Sequence, residues 1–281
     1  MTGWVFAMVL GAALIHATWN ALMKSDGDRL ALVEIMAATQ FLLSLALLPL
    51  VPVPAPASWP YIIANPALTT AYTLLLERAY RSGDLSLVYP LARGTAPLIV
   101  AGISIGLLGE QLSAVSQVSV LLIALGVTSL ALTRGANGLR DRRSIALSFA
   151  AAAFIATYTV VDGLGARAAG TANGYMVWIT LLSSPLIVIS ARLLRRGRRA
   201  PIGRRSRSAG MAAAVLSYGA SWLFIWALTL APIALVSALR ETGMVFAVLI
   251  GVVFLNERLN LARLASIAAT LVGTAVLKLS R

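Results

Sequence analysis

The feature that most constrains this chain is a succession of apolar runs, each about twenty residues long, separated by short polar breaks. They cover roughly 3–23, 30–50, 60–80, 85–108, 113–133, 143–165, 172–192, 209–229, 232–255 and 260–279. About 20 apolar residues in a helix match the ~30 Å hydrocarbon core of a bilayer. Lipid offers no hydrogen bonds, so a spanning segment must satisfy its own backbone. Apolar residues make up 59% of the chain and charged residues 12%, against about 25% charged in soluble domains. These runs predict an all-α polytopic membrane protein with ten transmembrane helices. The first run, Gly3–Met23, lacks the basic leader and small-residue cleavage site of a removable signal and is expected to be retained. There is no cysteine and only one histidine, His16. Thiolate chemistry and multi-histidine metal sites are therefore excluded, and no cofactor or metal is expected.

The second constraint is an internal repeat. A shift of 147 residues aligns Ala92-Arg93-Gly94-Thr95 with Leu239-Arg240-Glu241-Thr242. It also matches Ile103 with Ile250, Leu108 with Leu255, Glu110 with Glu257, Leu112 with Leu259, Ser119 with Ser266 and Gly126 with Gly273. Near the start of each half, Ala17-Thr18-Trp19 matches Ala156-Thr157-Tyr158 at a shift of 139. The expected division is a first five-helix repeat over 1–133, a connection over 134–142 and a second repeat over 143–281. Five is odd, so the second copy enters the membrane inverted, the architecture of many secondary transporters.

The paired endings Leu108-Gly109-Glu110-Gln111-Leu112 and Leu255-Asn256-Glu257-Arg258-Leu259, with the two-times-five helices, resemble the drug/metabolite transporter superfamily. Within it the chain is similar to the ten-helix EamA-type exporters, including bacterial exporters of aromatic amino acids. The resemblance implies a monomeric basket of helices around a central cavity, lined mainly by helices 1, 3, 4, 6, 8 and 9. It also implies residence in a bacterial inner membrane.

Of 23 basic residues, eighteen fall in or beside odd-numbered connections and three in even connections and termini (Arg167, Lys278 and Arg281). The positive-inside rule then puts the odd connections in the cytoplasm and both termini outside. The tract Arg192–Arg207 has no aromatic residue among its arginines, so it offers no stacking platform for nucleic acid. It reads as an anchor against anionic lipid headgroups.

Ionisable and polar residues inside the spans mark candidate sites, because burying them in lipid is costly. Helix 1 presents His16, Trp19 and Asn20 on one face, as a cavity lining or as a clasp between helices. Helix 4 carries Tyr89, Pro90, Arg93, Gly94 and Pro97. Arg93 can bind an anion or pair with an acid such as Glu34, Glu77 or Asp162. Pro90, Gly94 and Pro97 weaken the backbone ladder and make helix 4 the expected hinge. The matching stretch of helix 9 has only Gly243 as a weak point, so it should bend less. Arg240 and Glu241 lie there side by side. Helix 8 sets Tyr218, Trp222 and Trp226 at i, i+4, i+8, a possible aromatic wall with Trp222 deep in the membrane. Tyr158 and Asp162 on helix 6 and Tyr72 and Tyr80 on helix 3 complete the cavity candidates. Glu110 and Glu257 are expected to cap the amides of helices 5 and 10.

No Gly-x-Ser-x-Gly elbow, His-Glu-x-x-His pair or Walker loop is present, so the chain does not read as an enzyme and any pumping is secondary. The expected function is export of small metabolites, foremost amino acids with aromatic or other apolar side chains, by alternating access. Arg93 or Asn20 would take the substrate carboxylate, and Glu241, Asp162 or an aromatic face its ammonium. Export of phosphorylated or drug-like compounds is the alternative within the superfamily. A membrane-embedded enzyme or scaffold is the alternative outside transport.

Overall fold

A computed structural model describes residues 1–23, 29–82, 85–131, 142–195, 203–255 and 260–279. Every regular element among them is helical. The helices are α1 (Gly3–Leu22), α2 (Arg29–Leu47), α3 (Trp59–Ser82), α4 (Leu85–Gly106), α5 (Ala114–Ser129), α6 (Arg142–Ala168), α7 (Ala172–Arg195), α8 (Arg204–Leu230), α9 (Ile233–Arg240), α10 (Gly243–Leu255) and α11 (Leu261–Leu279). Eight spans among the described residues are long and apolar enough to cross a membrane, and one of them, Ile233–Val253, joins α9 to α10. The protein is a multi-pass membrane protein. Two of the expected spans differ from the other eight. Helix α5 has 16 residues, about 24 Å at 1.5 Å per residue. Helix α3 has 24 residues, but Asn65, Thr69, Thr70, Tyr72 and Thr73 make it the more polar wall of the bundle.

The connections show why the helices stop where they do. Pro49 tightens the end of α2 into a 3-10 turn (Leu48–Leu50), and Pro56 opens another (Pro56–Ser58) before α3. Gly109 and Gly170 hold φ of +67° and +66° at the ends of α4 and α6, where a side chain would strain the left-handed turn. Ser113 caps α5, its hydroxyl accepting from the Ser116 amide at 3.2 Å. The second and sixth connections meet through an Ala55 N–H donated to the Ala169 carbonyl at 3.1 Å. The even connections and both termini therefore share one face, called here the terminal face. The helix ends that flank the odd connections, with Arg192 and Arg195 of α7 among them, lie at the other, called here the arginine face.

Helix packing has a regular logic. Span α3 packs on α6 as α1 packs on α8; α4 packs on α6 as α1 packs on α9 and α10; α2 packs on α8 as α3 packs on α7. Each pairing becomes the other when span numbers advance by five. The α5–α11 contact is reciprocal at the level of atoms. A Cβ on Gly126 would strike Thr270, and one on Gly273 would lie 2.9 Å from the Ile123 amide nitrogen. Thr270 and Ile123 are themselves 147 residues apart. Small residues let these two backbones touch, the usual substitute for a hydrophobic driving force between helices in lipid.

The fourth and ninth spans reverse the expected order of regularity. Helix α4 runs unbroken through Pro90 and Pro97, while the ninth span, which has no proline past Pro232, is interrupted at Glu241 and Thr242. There the amides of Glu241 and Thr242 bond three residues back, to Ala238 and Leu239, which tightens and ends α9. Gly94 does not act as open space: a Cβ there would lie 2.6 Å from the Thr128 amide nitrogen of α5. Its role in this structure is close helix contact.

Candidate functional site

A cavity of about 270 Å³ lies within the bundle, lined from α2, α3, α6, α7, α8 and α9. This departs from the lining implied by the resemblance. Helices α2 and α7 contribute, through Gln40 and the Met176–Ile187 face, whereas α1 and α4 do not. Of the residues singled out from the sequence, Tyr72, Tyr158, Asp162 and Arg240 line it.

Two acids and two arginines lie at or beside this cavity, Arg240 half-buried and the other three buried, and they are not equivalent. Arg93 Nε lies 2.9 Å from Glu241 Oε2, with both side chains less than a tenth exposed. The partner of Arg93 is thus Glu241, not Glu34, Glu77 or Asp162. An acid placed beside Arg240 in sequence points across to the other half, because the turn that ends α9 swings it off the α9 face. The guanidinium carbon of Arg240 lies over the Phe224 ring, 4.2 Å from its centroid, a cation–π contact. Arg240 forms no ion pair among the described residues. Asp162 accepts hydrogen bonds from Asn65 Nδ2 at 2.5 Å and the Tyr175 hydroxyl at 3.2 Å. Both fall on Oδ1 and both donors are neutral, so the carboxylate has positional support without a bonded counter-charge.

The helix 1 stripe lies outside the lining. Asn20 donates its side-chain amide to the His16 carbonyl at 2.8 Å, within its own helix. The His16 and Trp19 rings meet edge to face at 5.0 Å. Trp19 packs toward Met36, Ala213 and Ala214. Tyr89 is half-buried on α4 and does not line the cavity, and the side chain of Tyr80 lies outside the described residues.

The aromatic stripe of α8 is turned away from the cavity. Tyr218 is buried, accepts from the Ser44 hydroxyl at 3.2 Å and stacks edgewise on Trp222. Trp222 is half-buried and donates to Asn173 Oδ1 at 2.8 Å, while Trp226 is exposed against Trp4. The face of α8 that does line the cavity is Ser217, Ser221, Phe224 and Ile225. One residue of offset on a helix is about 100° of rotation, enough to exchange an aromatic wall for a hydroxylated one. The same kind of face recurs on α3, where Asn65, Thr69, Tyr72 and Thr73 stand at helical spacing. The legible signal was a polar stripe through an apolar run, carried by uncharged groups.

Glu110 caps the wrong helix for the sequence expectation. Its Oε1 accepts from the Ile233 amide at 3.0 Å, at the start of α9, and lies 3.2 Å from Arg167. Arg167 in turn donates to the carbonyls of Leu228 at 2.9 Å and Ala231 at 2.8 Å, closing the end of α8. A carboxylate at a helix N-terminus and an arginine at a C-terminus are both favourable placements. Helix α9 is near both because the fourth and eighth connections meet on the terminal face. Glu257 lies outside the described residues. On the arginine face, Glu34 of α2 holds Arg192 at 2.7 Å and Arg195 at 3.1 Å of α7.

Residues 142–279 match the EamA-like transporter family. That stretch, the second half of the chain, is similar to EamA-like transporters. EamA-like proteins are membrane transporters of the drug/metabolite superfamily. No curated protein matches the sequence. Among solved structures 27 chains match. One, described only as a crystal structure of a protein, has a TM-score of 0.76 and 18% identity, over 99% of this chain and 98% of its own. At that identity the likeness extends to the fold.

Proposed function

We propose that this transporter exports small zwitterionic metabolites, foremost amino acids with aromatic or other apolar side chains and with broad tolerance among them. The observation that carries this reading is that Arg240, without an ion pair among the described residues, and Asp162, whose hydrogen-bond donors are neutral, stand on the walls of a single cavity. A zwitterion supplies the missing partner to each. In a low-dielectric site such complementarity is worth far more than in water. Arg93 is already neutralised by Glu241, so the carboxylate falls to Arg240 and the ammonium to Asp162. A volume of about 270 Å³ lies just below the ~300–1,000 Å³ of pockets for drug-sized ligands, which favours one small metabolite. A single cation facing a carboxylate is a poor receptor for a phosphate, which disfavours phosphorylated substrates.

In this reading the two halves, 1–133 and 143–281, are inverted repeats that exchange conformations, and the cavity opens alternately to each face. The chain works as a monomer among membrane lipids, in a bacterial inner membrane, with the arginine face cytoplasmic and both termini outside. The helix pairings that repeat at a step of five spans, and the charge asymmetry, support this arrangement. Amino-acid resistance and efflux, compared in cells with and without the gene, test the reading, with counterflow in proteoliposomes as the direct assay. Arg240→Gln should weaken amino-acid binding at least tenfold. No difference for any amino acid sinks the substrate class. Competition by phosphorylated or drug-like compounds points to the superfamily alternative, and absence of any counterflow to a membrane enzyme or scaffold.

A further inference from the structure

The cavity's charge is confined to one level, and that fixes how a substrate must lie. At about 1.5 Å of rise per residue from the helix ends on the terminal face, Asp162, Asn65 and Phe224 sit at a depth of about 9 Å and Arg240 at about 10 Å. Above them, toward the terminal face, the lining among the described residues is Met176 and Ile225. Below them it continues to about 20 Å at Tyr72 and Ser217 and about 22 Å at Ile187. This deeper part has hydroxyls and the Tyr72–Tyr158 pair, whose rings meet edge to face at 5.8 Å, but no charged side chain among the described residues.

Resting on the zwitterion reading, we infer that the substrate binds with its charged head at the Arg240–Asp162 level and its side chain pointing toward the arginine face, where Tyr72, Ile187 and Ser217 determine which side chains fit. Three observations join here. A charged head has counter-charges at one depth only, and burying it elsewhere carries an uncompensated cost. Met176 and Ile225 leave little length above that depth, so the side chain has one direction with room. The edge-to-face tyrosines present apolar ring surface, suited to a flat or branched hydrocarbon. Ser217 is the small residue on the α8 wall at the deep end, so its size sets how far a side chain reaches. Ile187 closes the same level from α7.

The test is the binding of alanine, phenylalanine and tryptophan to the purified full-length protein, comparing ratios of affinity. Ser217→Leu fills the deep end and should lower the phenylalanine-to-alanine ratio at least tenfold. Ile187→Ala opens it and should raise the tryptophan-to-alanine ratio several-fold. Arg240→Gln should weaken all three ligands to a similar extent and leave their ratios in place. If Ser217→Leu fails to fold, Ile187→Ala alone decides. Ratios that Ser217→Leu and Ile187→Ala leave unmoved, with Arg240→Gln still weakening binding, overturn the orientation and keep the zwitterion reading. Wild-type protein that binds none of the three overturns both.

Discussion

The fourth and ninth spans answer the same sequence problem in opposite ways. Ala92-Arg93-Gly94-Thr95 and Leu239-Arg240-Glu241-Thr242 correspond at a shift of 147 residues, and both place an arginine within an apolar span. In α4 the residue after the arginine is glycine, the helix continues, and the bare backbone lies against Thr128. In the ninth span it is Glu241, the helix ends, and the carboxylate reaches Arg93. Proline did not break its helix, whereas a buried acid coincides with a break. Membrane helices tolerate proline where neighbouring helices and local adjustment re-satisfy the freed backbone groups, and α4 is packed on α5 and α6. One glutamate thus divides the labour of two arginines: it neutralises the first and leaves the second for the cavity.

The largest expected effect comes from removing that glutamate. Glu241→Ala strands Arg93 in a buried site and should cost about 3–5 kcal/mol, read as a loss of thermal stability in detergent. The double variant Arg93→Met with Glu241→Leu should recover most of it, since an apolar pair can replace a buried ion pair at little cost. A double variant as unstable as the single one would break the comparison. Gly94→Ala should cost about 1–3 kcal/mol by pushing α4 off α5. Gly243→Ala, whose Cβ would lie 3.1 Å from the Ala13 carbonyl oxygen, should cost about 1 kcal/mol or less.

A third test concerns movement. Pro97→Ala should slow transport several-fold, about 1 kcal/mol of barrier, with affinity held within a few-fold. A normal rate shifts the bending to the interruption between α9 and α10. The smallest effect belongs to Glu110→Gln. The amide oxygen can still accept from Ile233, and the partly exposed pair with Arg167 is worth about 1 kcal/mol or less. A modest fall in melting temperature is expected, and a large one would mean that the α8–α9 turn depends on the charge.

Periodicity and composition made the helical spans legible, because lipid leaves the backbone so few solutions. The site was legible where charge marked it, at Asp162 and Arg240, and illegible where rotation decided. Trp222 and Ser221 are neighbours in sequence, yet only Ser221 faces the cavity; which side of α8 turns inward depends on its packing against α1 and α2. The partner of Arg93 was hidden for a related reason. Glu241 lies 148 residues away, and only the turn at the end of α9 aims it there.

The reciprocal contact of α5 and α11 has a mechanical consequence. Two helices that touch at Gly126 and Gly273 cannot slide along each other, because one turn of travel would drive a side chain into backbone. They can only pivot, as a keyed joint does. Any rearrangement that carries a ligand across must leave this joint engaged and turn the remaining helices about it.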